Sequence, residues 1–286
     1  MANTLSSSLI LDTIAAKVMT VLGNRWAPLN AFSQDFTTDG VAQNAYVQVR
    51  KYTDGTAAQT NPSTWETGDT TATNVAVQVK QYSVSATLTS MELNQHFKLE
   101  NAVEIKAELL AKKVMSVALA PVTAANFATA ITGATATTFA ASGYLANVQA
   151  AWAGVAKSLK KSLILDATAY SRLLPSDRNS FVPSGTGAFG FDNIYLNTLW
   201  TGAATNVYGI ACGPEVIACA SGIPMIDPTV QSMMAGSRNV TLDGLGLTVQ
   251  INTWASVATR APWFSLDVMF GAALGDNTNA VHFITA

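Results

Sequence analysis

Two near-copies of one short segment, VQVRKY at 47–52 and VQVKQY at 77–82, flank the polar stretch 53–74. In both copies valines alternate with polar residues, the period-2 signature of a half-buried strand, so the pair reads as the arms of a long hairpin. An isolated two-stranded ribbon is marginal in water, and the tip between these arms carries little that is apolar except Trp65. Such a ribbon has to lie on something else. Another copy of the same chain is the expected support.

The segments around the hairpin predict helices. Ser6 to Ser8 can cap a helix in which Ile10, Ile14, Val18 and Leu22 recur every four residues, ending at Gly23 and before Pro28. A Thr, Asp and Gly-rich turn is expected around Thr37 to Gly40. Thr89 and Glu92 form a capping box that opens a helix over 90–118, along which Leu99, Val103, Ala107, Leu110, Val114 and Val117 make one buried stripe. At about 1.5 Å per residue it runs some 40 Å, a spine that Pro121 ends. Ser142 can cap a helix that ends near Lys157. Further on, 162–165 reads as a short buried strand, Asp166 caps a helix that stops before Pro175, and 176–190 reads as loop. Strands are expected at 207–212, 216–219, 245–251 and 281–284. Over 264–270, Phe264, Leu266, Val268 and Phe270 alternate with Ser265, Asp267 and Met269. The fold class is α+β.

Charged residues make up 12% of the 286 residues, against about a quarter in ordinary soluble proteins, and the net charge is −2. A surface so weakly charged repels neighbouring copies little and suits faces that are covered in an assembly. It offers no basic patch for reading nucleic acid. The longest apolar runs, 114–122 and 216–226, are broken by Ser, Pro or Gly and fall short of a bilayer span. No basic residue precedes Lys17, so the amino terminus lacks the charged start of a secretory signal. Cys212 and Cys219 fit neither a CxxC pair nor a four-ligand zinc site, and buried free thiols in a reducing cytoplasm are expected.

Chemical motifs are few. Gly185, Gly187 and Gly190 spell GxGxxG, but Pro183 precedes them where a dinucleotide fold needs a strand. Ser158 and Lys161 have the SxxK spacing of some acyl enzymes without the partner motifs. Glu92 and His96 lie four apart, not the three of a carboxylate-bundle metal motif, and His282 is the only other histidine. No cofactor and no metal is called for. Glu100, Glu104 and Glu108 line one edge of the spine helix, with Lys112 next in the row. That edge is either solvated or faces the Arg50, Lys51 or Lys80 of a neighbouring copy.

The order of elements, with AYVQVRKY (45–52), VAVQVKQYSVSATLT (75–89), MELNQHFKLENAVEIKAELLAKKV (91–114), SLILDATAYSRLL (162–174) and YGIACGPEVIACASGIPMI (208–226), resembles the major capsid protein of tailed double-stranded DNA bacteriophages. The resemblance implies an N-terminal arm (1–41), an extended hairpin loop (42–88) and a peripheral domain with the spine helix (89–140). It also implies a mixed α/β central, axial domain (141–240), and return strands to the peripheral domain (241–286). Subunits would self-assemble as pentamers and hexamers into an icosahedral shell in the host cytoplasm, enclosing DNA without sequence-specific binding and without a membrane. Because no long region precedes the arm, a separate scaffolding protein is expected beside a portal. Interface contacts are expected from Arg50, Lys51, Trp65, Glu66, Asp69, Lys80, Glu100, Glu104 and Glu108. A cellular nanocompartment shell of the same fold, holding a cargo enzyme, is the alternative reading. A hydrolase using Ser158 and Lys161 is the rival from another class.

Overall fold

The structure, a computed structural model, describes residues 7–42, 44–52, 72–87, 96–123, 125–127, 130–131, 150, 152, 160–171, 191–198, 207–256, 258, 261–278 and 280–284. Helix α1 (Ser7–Arg25) and the spine helix α2 (His96–Ala118) pack side by side. The apolar periodicities of the sequence become the contact: Ile14, Val18 and Leu22 of α1 and Leu99, Val103, Ala107, Leu110 and Val114 of α2 are all buried. A 3-10 turn, Ala27–Ala31, follows α1 with Pro28 near its start. Between helix and turn, Trp26 is fully buried and its Nε1 donates to the Ala111 carbonyl of α2 at 3.4 Å. From Ile14 onward the first helix is therefore a wall of the core.

Both helices cover one face of a six-stranded sheet. Its strands are β1 (Ser33–Val41), β4 (Lys80–Thr87), β9 (Ile217–Pro224), β10 (Gly236–Thr241), β11 (Thr248–Ser256) and the 14-residue β12 (Ala261–Leu274). Strand β12 organises the rest. One of its edges pairs first with β11 and then with β9, and the other pairs with β4 over 263–270. Phe264, Leu266, Val268 and Phe270 project to the helix side with no exposed surface. Each such side chain stabilises the fold by about 1.5–3 kcal/mol relative to leaving it in water. The alternation seen in the sequence is real, yet its polar half is also buried: Ser265 is 6% and Asp267 5% exposed.

Where a turn was expected at Thr37 to Gly40, the chain runs on as β1, parallel to β9, with a register shift between Phe36 and Gly40. Turn-forming residues are accommodated as an irregularity inside a strand, because a long pairing with β9 outweighs local preference. In the other sheet the order is β5 (Ala130–Ile131), β13 (Ala280–Ile284), β8 (Val207–Cys212), β6 (Ser162–Asp166) and β7 (Asn193–Asn197). All five residues of β6 are buried, as its uninterrupted apolar run requires. Asp166 caps the short helix α3 (Ala167–Ser171) by accepting from the Ala169 amide at 2.7 Å. The last strand, β13, pairs with β8 and so joins this sheet rather than the one that holds β12.

The hairpin pairs β2 (Tyr46–Tyr52) with β3 (Ala72–Gln78), Val47 opposite Val77 and Val49 opposite Val75. The two near-copies do not serve as equal arms. The second copy straddles a break at Val79, so that Val77 and Gln78 end β3 while Lys80, Gln81 and Tyr82 open β4 in the large sheet. At the break, the Val79 amide donates to the Ala45 carbonyl at 2.9 Å, and its carbonyl accepts from the Asn44 amide at 3.0 Å. Asn44 turns the chain with a φ of 64°, a conformation that asparagine tolerates better than most residues. The expected support for the ribbon was a second copy. For the base of the hairpin it is the same chain: Val49, Val77 and Val79 pack on Ala218, Ala220 and Met269.

Candidate functional site

The glutamate row of the spine helix meets basic groups of its own chain. Lys17 Nζ lies 2.8 Å from Glu104 Oε2, and Arg25 donates from Nε at 2.8 Å and from Nη2 at 2.5 Å to Glu108 Oε1. The row was read as either solvated or facing the hairpin of a neighbour; for Glu104 and Glu108 the first helix of the same chain supplies the partners instead. A third pair, Arg238 with Asp12, ties α1 to β10. The Lys17 ammonium is held above its ordinary value chiefly by the hydrogen bond to Glu104, with further attraction from Glu104 and Glu100. A raised lysine contributes stability at every pH below its unfolded value and loses it only as pH climbs through the folded one. The pairing is therefore intact throughout the neutral range.

The other expected contact residues are spread over the hairpin, β4 and α2. Lys80 is exposed at the start of β4, and Glu100 is exposed on α2. Arg50 and Lys51 lie on β2, where only their backbone is described. Trp65, Glu66 and Asp69 lie outside the described residues. Surfaces left uncovered elsewhere are apolar in places: Ile105 (60% exposed) and Leu109 (48%) on the outer side of α2, and Met225 (69%) and Met233 (75%) around the short helix α4 (Pro228–Ser232). Asp227 caps α4, and the Thr229 amide bonded to it holds its carboxyl below the usual carboxylate value. A cleft of 510 Å³ opens between Arg25 and Pro28, the Glu108 to Met115 stretch of α2, and Tyr195 and Leu196 of β7.

The weaker chemical motifs gather no constellation among the described residues. The lysine of the SxxK pair, Lys161, donates its backbone amide to Asp192 at 2.7 Å, and Ser158 lies outside the described residues. The GxGxxG glycines also lie outside, and the segment after them forms strand β7, where a phosphate cradle would open a helix. His96 begins α2, and His282 sits in β13 opposite Ile210. Both cysteines are buried and free; burial pushes the Cys212 thiol up to about 12 and Cys219 higher still, so neither is a thiolate at neutral pH. Among the described residues there is no group of three or more His, Cys, Asp or Glu side chains that could hold a metal ion, and no helix long and apolar enough to cross a membrane.

Two features escaped the sequence reading. One is the basic side of the arm–spine contact, for which Lys17 and Arg25, two turns apart on a helix with few other charges, were the available signal. The other is a polar chain on the far face of the large sheet, buried at Asn252, Ser265 and Asp267 and reaching the exposed Ser237. Ser237 donates to Asn252 Oδ1 at 2.7 Å, Asn252 Nδ2 to Asp267 Oδ2 at 2.9 Å, and Ser265 Oγ to the same oxygen at 2.6 Å.

No protein-family model matches the chain, and no curated protein sequence does. Its backbone has clear counterparts. The virus-like particle from Pyrococcus furiosus superposes with a TM-score of 0.59 at 13% identity, over 95% of this chain and 98% of that one. The capsid of a native GTA particle gives 0.55 at 12% identity, covering 92% and 90%. A structure from Mycobacterium phage Che8 gives 0.52 at 13% identity, covering 84% of each chain. The chain has the fold of tailed-phage capsid proteins. At identities this low the likeness is one of backbone alone, so the side chains that serve it here have to be argued from this chain.

Proposed function

We propose that the chain is the shell-forming subunit of a tailed-phage capsid, self-assembling as pentamers and hexamers around packaged double-stranded DNA. Its work is association rather than catalysis. The observation that carries this reading is the superposition on the GTA-particle capsid over 92% of this chain and 90% of that one, with the Mycobacterium phage Che8 chain matched over 84% of each. The low charge of the surface and the exposed Ile105, Leu109, Met225 and Met233 support it, because such patches are covered when copies pack together. On this reading a scaffolding protein and a portal accompany the subunit, which is assembled in the host cytoplasm and ends in the virion. Purified protein, alone or with its scaffold, is expected to give closed particles in negative-stain images and megadalton mass by light scattering. A 30 kDa species under every assembly condition would sink the proposal.

A cellular shell of the same fold enclosing protein cargo is the second reading, and the superposition on the virus-like particle from Pyrococcus furiosus, at a TM-score of 0.59, is compatible with either. Particle contents separate the two, since packaged DNA absorbs most strongly at 260 nm and protein cargo does not. In either shell the hairpin tip is a contact between subunits, with Trp65 as anchor beside Glu66 and Asp69, and with Arg50, Lys51, Lys80 and Glu100 as charged neighbours of the joint. Buried aromatics are the usual anchors of interfaces, and removing one costs about 2 kcal/mol or more. Trp65→Ala is expected to yield a folded subunit with unchanged far-UV circular dichroism and a fragile or absent shell. Mutant particles equal to wild type in yield and thermal disruption would make Trp65 an ordinary exposed residue.

A further inference from the structure

The base of the hairpin is seated within one chain. Val77 and Val79 have no exposed surface and Val49 keeps 7%, all of it covered by β9 and β12 of the same subunit. The closest approach is between backbones. A Cβ placed on Gly271 of β12 would overlap the carbonyl oxygen of Gln78 and stand 2.9 Å from its carbonyl carbon. Only glycine lets β3 lie this near the sheet. Two main-chain bonds of Val79 hold the crossing point, and β4 begins one residue later, hydrogen-bonded to β12 from Lys80 to Thr87. On this side a single residue, Val79, separates the ribbon from the sheet that aims it.

We infer that Gly271 is a positioning residue for assembly: the direction in which the hairpin leaves the body is set in the free subunit, before any neighbour is met. This rests on the shell-forming reading, in which the hairpin reaches a neighbour. A ribbon ordered only by that neighbour would charge its ordering entropy to association, whereas a seated one has already met that cost on folding. The valines of the seat, the glycine beneath it and the one-residue step from β3 to β4 all belong to the second arrangement.

Hydrogen exchange on the dissociated subunit tests it. In the wild type, the amides of Val77 and Val79 are expected to exchange at least about a hundredfold more slowly than an unstructured peptide. Gly271→Ala should speed exchange across 44–52 and 72–79 by about tenfold or more while leaving α2 and the β11–β12 pairs within about twofold, and should lower the yield of regular shells about tenfold. Val77→Ala loosens the same seat without pushing on the backbone. It is expected to act in the same direction, and it carries the test if Gly271→Ala does not fold. Val18→Ala, in the distant α1–α2 contact, should lower global stability without singling out the hairpin. Wild-type amides at 77–79 exchanging as fast as free peptide would overturn the inference, as would Gly271→Ala shells of normal yield and geometry. Failure of the shell reading looks different, with protected amides in a wild type that never forms particles.

Discussion

Replacing Trp26 with alanine is expected to destabilise the subunit by about 3–5 kcal/mol and to abolish recovery of particles with it. The side chain is fully buried where the first helix ends, beneath the 3-10 turn whose Leu29 and Ala31 are buried with it. It also closes the contact with α2 through the hydrogen bond from its indole nitrogen to Ala111. Alanine would leave a cavity that neither helix can collapse to fill, because Leu22 on one side and Ala111 on the other already belong to packed stripes. A domain of ordinary stability has about 5–15 kcal/mol in all, so a loss of this size leaves it marginal. Trp26→Phe keeps much of the volume and should cost clearly less. The denaturant midpoint of each variant measures the effect. A midpoint for Trp26→Ala close to that of the wild type would mean that the arm helix is dispensable to the core, contrary to its packing.

The elements that were legible in the sequence are those whose side chains repeat with the period of their own backbone. The stripe from Leu99 to Val114, the apolar run of β6 with Asp166 capping the helix after it, and the alternation of β12 all appear in the structure where the pattern puts them. What was not legible is set by partners far away along the chain. Thr37 to Gly40 has the composition of a turn, and only β9, some 180 positions later, makes it part of a strand. The second VQVKQY copy looks like a hairpin arm as long as it is compared with the first; β12 decides that its latter half belongs to another sheet. Charges behave likewise. The glutamate row could be read from α2 alone, but the identity of its partners, Lys17 and Arg25, depends on how two helices pack. The buried half of β12 was hidden for a related reason: alternation separates the two faces of a strand without saying whether the polar one is covered.

That covered face leads to the other large effect. Asp267→Leu is expected to destabilise the fold by about 2–6 kcal/mol, since the Asn252 amide and the Ser265 hydroxyl each lose a buried acceptor at about 1–3 kcal/mol. Asp267→Asn retains an acceptor oxygen and should cost less than half as much. Leucine matches aspartate in heavy-atom count but is the larger side chain, so the near-isosteric Asp267→Asn is the variant that isolates hydrogen bonding from packing. The carboxylate also fixes register. In the β11–β12 ladder Gln250 lies opposite Asp267 and Asn252 opposite Ser265, while Ile251 and Leu266 face the helices. A slip of one residue would turn Asp267 toward the apolar side, and a buried charge there is far less tolerable than a polar chain that satisfies it. Leucine removes that penalty, so Asp267→Leu should also broaden the amide signals of β11 and β12 through exchange between pairings. Urea unfolding and amide spectra report the two effects separately. An unchanged midpoint together with sharp β12 resonances would mean that water replaces the carboxylate without loss and that the apolar face alone specifies the register.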